Sequence, residues 1–503
     1  MAQANRPGSS GGQPPAARPS ADELIDLALS GFESAPEAAP AEGNALPTPA
    51  RAETGRIDNA LLEPVRHDPQ YAVALNHRGF ALANQGHYEE AVRHFDESIA
   101  INPHYAPAYN NRGYALAALK QYDQAIGDFD AAIRIKADFA AAYNNRALAF
   151  SAKREYERAV ADASAAIRFD PGLALAYHNR GFAFAAVGDY DRAIDDFNEC
   201  LRLAPETANA FHNRGFALTA QGEYERAIHD YDRELEIRPR SAFGYYNRGF
   251  VRVSTGAFDK ANTDFDAAIQ LRPSFADAYY NRADVYRAKR QYEEAIADYT
   301  QAIRHDPQFL LAFYHRGEVH YETGQFDRAI ADFDAMIRLQ PNMAAAYNSR
   351  GLALVARGEP DRALADFGEA IRIDPQYAGA YNSRAAAFAA KGDYERAIVD
   401  HIEAIRRDPK VASVYADFAK LWVADTSTIA SAGRLAVELA RRACDLSGWS
   451  DCNALGTLAT AYAEVSDFGA AIQWGEQALA VAPEQEKAAR RLELDSYRAR
   501  QHS

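Results

Sequence analysis

Cysteine, tryptophan and methionine are scarce in this 503-residue chain, which has three of each. An odd number of cysteines in so long a chain argues against a disulfide framework and predicts buried thiols at Cys200, Cys444 and Cys452. The sequence has no apolar run of membrane-spanning length, and residues 1–20 lack the apolar core of a secretory signal. We therefore expect a cytoplasmic protein that does not insert into membranes.

Basic residues are also few, with 55 Lys and Arg against 70 Asp and Glu, so the formal charge is -15. This balance disfavours nonspecific binding of nucleic acid. No phosphate-cradling glycine loop or nucleophile motif occurs, so we expect no catalytic residues and no cofactor. His178 and His212 occupy the same place in adjacent repeats but lack a matched Cys or carboxylate, so we expect no metal site.

One structural unit is copied ten times along the chain. An arginine recurs every 34 residues without insertion or deletion, at Arg78, Arg112, Arg146, Arg180, Arg214, Arg248, Arg282, Arg316, Arg350 and Arg384. A fixed period of this size is typical of a solenoid, in which each unit buries its apolar face against its neighbours.

Each unit reads as two helices joined by tight turns. In the second copy, Tyr109, Arg112, Gly113 and Leu116 have the i, i+3, i+4, i+7 spacing of one helical face. Glycines such as Gly188 separate the two helices, and proline commonly follows the second. No segment shows a β-strand pattern in place of this helical spacing, so the sequence predicts an all-α protein.

Small residues and aromatics recur in register through the repeats. An alanine occupies one position in all ten copies, where a larger side chain would overpack a helix contact: Ala91, Ala125, Ala159, Ala193, Ala227, Ala261, Ala295, Ala329, Ala363 and Ala397. With the glycine that usually follows each arginine and aromatics such as Tyr122, this pattern resembles the tetratricopeptide repeat (TPR) family, in its Asn-Arg-Gly bacterial form. The resemblance implies a right-handed α-solenoid superhelix of antiparallel helix pairs.

The register also predicts the domain organisation. Residues 1–54 cannot build a core and are expected to be disordered, apart from an amphipathic stretch at 22–32 that could dock in the protein's own groove. A capping half repeat is expected at 55–71 and ten full repeats at 72–411. We expect two divergent repeats at 412–485 and a capping helix at 486–503, because terminal units are usually atypical.

The repeating arginine is a departure from the family pattern, which has leucine there. An aspartate follows sixteen residues later in nine copies, and a charge on a packed face needs a partner. We therefore predict a structural ion-pair ladder, of which the central members are Arg112, Arg146, Arg180, Arg214 and Arg248 with Asp128, Asp162, Asp196, Asp230 and Asp264.

A second stripe on the first helix of each repeat, at repeat positions 2, 5, 6, 9 and 13, would line the concave groove by resemblance to the family. Position 6 is asparagine in six consecutive repeats, similar to the asparagine ladder of O-linked N-acetylglucosamine transferase repeats. Position 9 is aromatic early and acidic later. The predicted peptide-binding residues are Asn111, Asn145, Asn179, Asn213, Asn247, Asn281, Phe182, Phe216, Phe250, Asp284 and Glu318.

These groove residues also have structural alternatives. The asparagines could cap or solvate a duplicated helix face, the aromatics could pack against the next repeat, and the acidic residues could form a self-satisfied surface patch with Arg287. The sequence favours a noncatalytic scaffold that binds extended segments of proteins or peptides. The alternative is a substrate-recruiting or regulatory subunit of an enzyme complex. The sequence does not predict the partner or the oligomeric state.

Overall fold

The computed structural model describes residues 69–424 and 430–501. The predicted N-terminal segment at 1–54, its amphipathic stretch at 22–32 and most of the predicted half repeat at 55–71 lie outside these residues. The described residues form two compact units that divide between Pro273 and Ser274. We call them the N-terminal unit and the C-terminal unit.

The N-terminal unit consists of six helix pairs. Its helices are α1 (Pro69–Ala83), α2 (Tyr88–Ile101), α3 (Ala106–Ala118), α4 (Tyr122–Ile135), α5 (Ala140–Ala152), α6 (Tyr156–Phe169), α7 (Ala174–Ala186), α8 (Tyr190–Leu203), α9 (Ala208–Ala220), α10 (Tyr224–Ile237), α11 (Ala242–Ser254) and α12 (Phe258–Leu271). Odd-numbered helices are the first helices of their repeats, and each packs on the following even-numbered helix.

The C-terminal unit continues the same alternation and ends on a single helix. Its helices are α13 (Ala276–Ala288), α14 (Tyr292–His305), α15 (Leu310–Glu322), α16 (Phe326–Leu339), α17 (Ala344–Arg357), α18 (Pro360–Ile373), α19 (Ala378–Ala390), α20 (Tyr394–Arg407), α21 (Ala412–Ala424), α22 (Ala430–Leu446), α23 (Cys452–Glu464), α24 (Phe468–Val481) and α25 (Glu484–Gln501). The described residues contain no strand, and the all-α solenoid prediction is confirmed.

Close helix packing within each pair depends on small residues. The ten recurring alanines are fully buried. The glycine after the ladder arginine faces an aromatic ring on the second helix, and a Cβ added at Gly351 would lie only 2.5 Å from Cε1 of Phe367. Where Ala147 replaces this glycine, the ring is also replaced, by Ala163. In that repeat the two positions share one packing volume, whereas Ala283 is accommodated in the same cluster as the ring of Tyr299.

The turn between the two helices of a repeat uses a left-handed residue. Gly86 has φ = 80°, as sequence patterning predicts for such a turn. Lys120, Arg154 and Arg290 occupy the equivalent place in other repeats, with φ of 62°, 61° and 58°. The left-handed conformation costs non-glycine residues roughly 1 kcal/mol, so the surrounding repeat must stabilise it there.

The ends of the array differ slightly from the predicted boundaries. Pro69 was expected to end the capping half repeat, but it opens α1, so residues 69–71 belong to the first full repeat. Proline suits the first turn of a helix because its missing N–H has no acceptor there. The last helix starts at Glu484, two residues before the predicted cap.

The cysteines and the helix lengths bear on two expectations from composition. Cys200, Cys444 and Cys452 are free and buried, and burial raises the pKa of the Cys200 and Cys444 thiols to about 12. Within residues 69–424 and 430–501, no helix is both long and apolar enough to cross a membrane. The same residues contain no group of three side chains that could hold a metal ion.

Candidate functional site

Each ladder arginine forms two parallel hydrogen bonds with the aspartate sixteen residues later. Nε and Nη2 of Arg214 both lie 2.7 Å from the carboxylate oxygens of Asp230. The same bidentate geometry is found in Arg112–Asp128, Arg146–Asp162, Arg180–Asp196, Arg248–Asp264, Arg282–Asp298, Arg316–Asp332, Arg350–Asp366 and Arg384–Asp400. The structure thus brings together the side chains predicted to pair.

The remaining guanidinium nitrogen, Nη1, reaches back to the preceding repeat. In Arg112 it lies 2.6 Å from Asp96, and in Arg214 it lies 2.7 Å from Asn198. Other acceptors at this repeat position are Asp130, Ser164, Asp232, Thr300 and Asp334. Sequence reasoning missed this contact, although a polar residue sixteen places before the arginine recurs through most repeats. Each such arginine therefore links two repeats.

Burial and aromatic contacts define the electrostatics of the ladder. The paired aspartates are 2–11% exposed and the arginines 15–25% exposed. Each guanidinium also lies 5.4–5.8 Å from the ring three residues earlier. The hydrogen bond that Arg112 donates to Asp128 raises the pKa of Arg112, whereas burial raises the pKa of Asp128 itself. We propose that the ladder is structural, because its donors are occupied within the protein.

The asparagine column of the N-terminal unit forms hydrogen bonds between repeats. Nδ2 of Asn111 donates to Oδ1 of Asn76 at 3.0 Å, and Nδ2 of Asn145 donates to Oδ1 of Asn110 at 3.0 Å. Asn179 bonds Asn144 at 2.8 Å in the same way, while Asn213 and Asn247 lie 3.0 and 3.3 Å from Nε2 of His178 and His212. We call this row the amide zipper.

Exposure differs along the amide zipper. Asn179 and Asn213 are 6% exposed, whereas Asn111, Asn145 and Asn247 are only half-buried. Asn281, in the C-terminal unit, donates to the backbone oxygen of Asp277 on its own helix at 2.9 Å. Contact of these amides with a bound peptide remains a prediction, and the half-buried members are the most accessible to one.

A buried glutamate interrupts the small-residue pattern next to the zipper. Glu234 is 0% exposed and stands where the preceding repeat has Cys200 and the following repeat has Ala268. Its carboxylate lies 2.7 Å from His212 Nδ1 and accepts a hydrogen bond from Ser241 Oγ at 2.7 Å. Gly244 makes room, since a Cβ there would lie 3.0 Å from both carboxylate oxygens. Sequence analysis missed one signal for this contact, which is that Gly244 stands at a repeat position where the neighbouring copies have alanine.

Electrostatics keep this glutamate ionised. Burial alone would raise the pKa of Glu234, but His212, Ser241 and Arg238 together outweigh burial and lower the pKa. The pair is therefore a satisfied internal contact rather than an exposed acid.

The predicted groove aromatics differ in accessibility. Phe182 is 6% exposed and packs in one cluster with Leu148, the residue at the same position of the preceding repeat. Phe216 and Phe250 are half-buried, and the ring of Phe216 meets Tyr190 edge-on at 6.4 Å. Phe216 and Phe250 therefore offer the more accessible apolar surface.

The acidic members of the stripe lie on α13 and α15. Oδ1 of Asp284 accepts a hydrogen bond from the Tyr299 hydroxyl at 2.5 Å and lies 2.8 Å from His315 Nδ1. Burial would raise the pKa of Asp284, but His315, Tyr299 and Arg287 together outweigh it and the pKa is lowered. Glu318 is half-buried one turn after Tyr314 on α15. Both carboxylates are accessible enough to meet a ligand.

Fold and stripe together define a repeat protein built from stacked helix pairs. Models of the tetratricopeptide repeat match residues 72–105, 94–127, 174–206, 207–240, 246–308 and 283–344, and a TPR repeat model matches residues 351–392. The chain belongs to the tetratricopeptide repeat family. No curated protein matches its sequence.

Several solved structures resemble the chain. Yeast Tom70 is 18% identical over 86% of this chain and 96% of its own, with a TM-score of 0.45. YrrB, described as a TPR protein with an unusual peptide-binding site, is 28% identical over 37% of this chain and 97% of its own, with a TM-score of 0.34. The APC/C hetero-tetramer Cut9-Hcn1 is 13% identical over 88% of this chain and 99% of that one, with a TM-score of 0.43.

Proposed function

We propose that this protein is a noncatalytic scaffold that binds extended segments of partner proteins along the stripe of its first helices. One observation carries the proposal. The packing positions repeat almost unchanged, while position 9 of the stripe changes from Phe216 and Phe250 to Asp284 and Glu318. These four side chains are only partly buried, so their differences are presented to a ligand rather than to the core.

The amide zipper would form the floor of such a groove. Each zipper Nδ2 is committed to the preceding repeat, but a carbonyl oxygen accepts two hydrogen bonds. Oδ1 of Asn111 accepts one from Asn110 at 3.2 Å, which leaves capacity for a peptide N–H. Such a bond contributes about 0.5 to 1.5 kcal/mol, against about 1 to 2 kcal/mol to order one peptide residue. Selectivity and most affinity must then come from position 9.

Selection of binding peptides from a random dodecapeptide display library on the full chain tests this proposal. We expect the selected peptides to lose affinity for the variants Phe216→Ala and Phe250→Ala. The matched control is Val187→Ala, which removes a 52% exposed apolar side chain from the turn before α8. All three variants are first compared with wild type by thermal melting.

Two results would count against the proposal. Peptides that bind every variant equally would place the ligand away from the stripe. Turnover of a substrate that depends on Phe216 or Phe250 would contradict the noncatalytic assignment.

A further inference from the structure

The stripe of the C-terminal unit combines acids with aromatic rings. On α15, Tyr314, Glu318 and Tyr321 share one helical face, because they are spaced i, i+4 and i+7, and Glu322 follows at i+8. Burial, and then the nearby carboxylate of Glu318, raises the pKa of the Tyr314 and Tyr321 hydroxyls. The glutamate therefore lies beside two phenol rings that are largely removed from water.

Negative charge exceeds positive charge around this face. Burial lowers the pKa of Arg287, but Tyr299 and then the carboxylates of Asp284, Glu322 and Glu318 outweigh it and raise the pKa. Three carboxylates are thus close enough to one guanidinium to raise its pKa. Even with Arg287 charged, the face keeps a net negative charge that a cationic ligand would neutralise.

His315 adds a hydrogen-bond acceptor to the face. Its Nδ1 lies 2.8 Å from Asp284 and 3.2 Å from the Tyr280 hydroxyl, and its ring stacks on that of Tyr280 with the centroids 5.5 Å apart. In the neutral imidazole whose Nδ1–H is donated to Asp284, Nε2 is an acceptor. No described residue hydrogen-bonds to this nitrogen, and the side chain is 20% exposed.

A second unfilled acceptor lies on the next first helix, α17. Asn348 is 2% exposed, and its Oδ1 has no hydrogen-bond partner among the described residues. In the N-terminal unit, Oδ1 of the equivalent Asn110 accepts from the amide of Asn145, but the corresponding residue after Asn348 is Ser383. Burial, and then the charge of Glu318, raises the pKa of Tyr377 to about 12, whereas Asn348 lowers it. The unfilled acceptor therefore borders the acidic and aromatic face.

We propose that Asp284, His315, Glu318 and Glu322, with the rings of Tyr314 and Tyr321, form a subsite that binds a lysine or arginine side chain of an extended partner segment. Carboxylates attract the cation, the two unfilled acceptors suit its N–H groups, and aromatic faces favour a cation further. This subsite rests on the proposed function and gives it a ligand class. Phosphorylated or strongly acidic segments would be repelled.

Two synthetic dodecapeptides test the subsite on the full chain by fluorescence anisotropy. One carries lysines between glycines and serines, and the other has glutamine in place of every lysine. We expect the lysine peptide to bind more tightly, and the double variant Glu318→Gln with Glu322→Gln to weaken it about tenfold, equivalent to roughly 1.4 kcal/mol. The control, Glu293→Gln with Glu294→Gln, removes the same charge from exposed positions on α14 and is expected to change affinity less than about twofold.

Each other outcome has a defined meaning. Equal affinity for both peptides, equal weakening by the control, or no binding of the lysine peptide would overturn the subsite. If the double variant melts below wild type, Glu322→Gln alone replaces it, and an unchanged affinity for the lysine peptide would overturn the subsite. Peptides selected from the display library that lack Lys and Arg, but depend on Phe216 and Phe250, would refute this subsite and leave the proposed scaffold function standing.

Discussion

The two units share one scaffold but differ along the stripe of their first helices. In the N-terminal unit, asparagine amides bond the preceding repeat, as Asn145 does with Asn110. On α13 and α15 of the C-terminal unit, the same repeat positions carry Tyr280 and His315, which contact each other, and the carboxylate of Asp284 at position 9 lies 2.8 Å from His315 Nδ1. The arginine ladder continues unchanged through both units. Stability and stripe chemistry are therefore carried by different residues of the same helices.

The largest expected effect comes from the feature that the units share. Asp230→Ala and Asp366→Ala each leave a mostly buried arginine, Arg214 or Arg350, without its bidentate carboxylate partner. Removing one member of a buried pair costs about 3 to 5 kcal/mol. Because the arginines are partly exposed, we expect the free energy of unfolding to fall by about 3 kcal/mol. Urea unfolding should show similar losses for both variants.

More exposed acids on the second helices provide the control. Asp232→Ala and Asp334→Ala remove only the outer bond to Arg248 and Arg350, and these aspartates are 44% and 39% exposed. We expect losses below about 1 kcal/mol. A large loss in one unit and none in the other would show that the ladder does not play the same part in both.

The next largest effect is a loss of stability at low pH that arises from His401 in the C-terminal unit. His401 stands where the preceding repeat has Phe367, is 1% exposed, and burial lowers its pKa to about 4. Protonation of His401 is disfavoured in the folded state. Its contribution to the free energy of unfolding is therefore fully present above its unfolded pKa of roughly 6.5 and is lost as pH falls toward about 4. The loss should approach about 3 kcal/mol.

The variant His401→Phe isolates this group, because it installs the ring of the neighbouring repeat. Urea midpoints measured between about pH 7 and about pH 4.5 should fall less for the variant than for wild type. Several groups face His401: Asn382 and Asp417 from neighbouring helices, and Asp400 beside it in sequence. Parallel declines for both proteins would assign the pH dependence to the other titratable groups.

A smaller effect tests the packing common to both units. Gly351→Ala places a methyl group against the Phe367 ring, and overpacking of this kind costs about 1 to 3 kcal/mol. Gly368→Ala, in α18, meets no atom within 4 Å and should stabilise by about 0.5 to 1 kcal/mol, because alanine favours a helix over glycine. Thermal melting should move the two variants in opposite directions.

The smallest effect probes the amide zipper. Asn145→Ala removes the donor to Asn110 and should cost about 0.5 to 1.5 kcal/mol. Asn84→Ala, at an exposed position after α1, should stay within about 0.5 kcal/mol of wild type. If the two variants have the same urea midpoint, the zipper bonds contribute nothing measurable to stability. The recurring asparagines would then be better explained by contact with a ligand.

Much of the fold could be predicted from the sequence because one helical pattern recurs at a fixed period. The spacing of sixteen residues between each arginine and aspartate is contained within one repeat, so it could be found without knowledge of how repeats stack. Contacts between repeats were harder to predict. The zipper joins residues 35 apart, one repeat plus one residue, and that offset depends on how first helices lie side by side.

Sequence by itself determined the helix pairs and the residue types available to the ladder and the stripe, since these follow from local periodicity. Only tertiary structure decided that Arg112 reaches back to Asp96, that the asparagines bond one another, and that Gly244 makes room for Glu234. These contacts depend on the distance and orientation between packed helices, which no single repeat encodes.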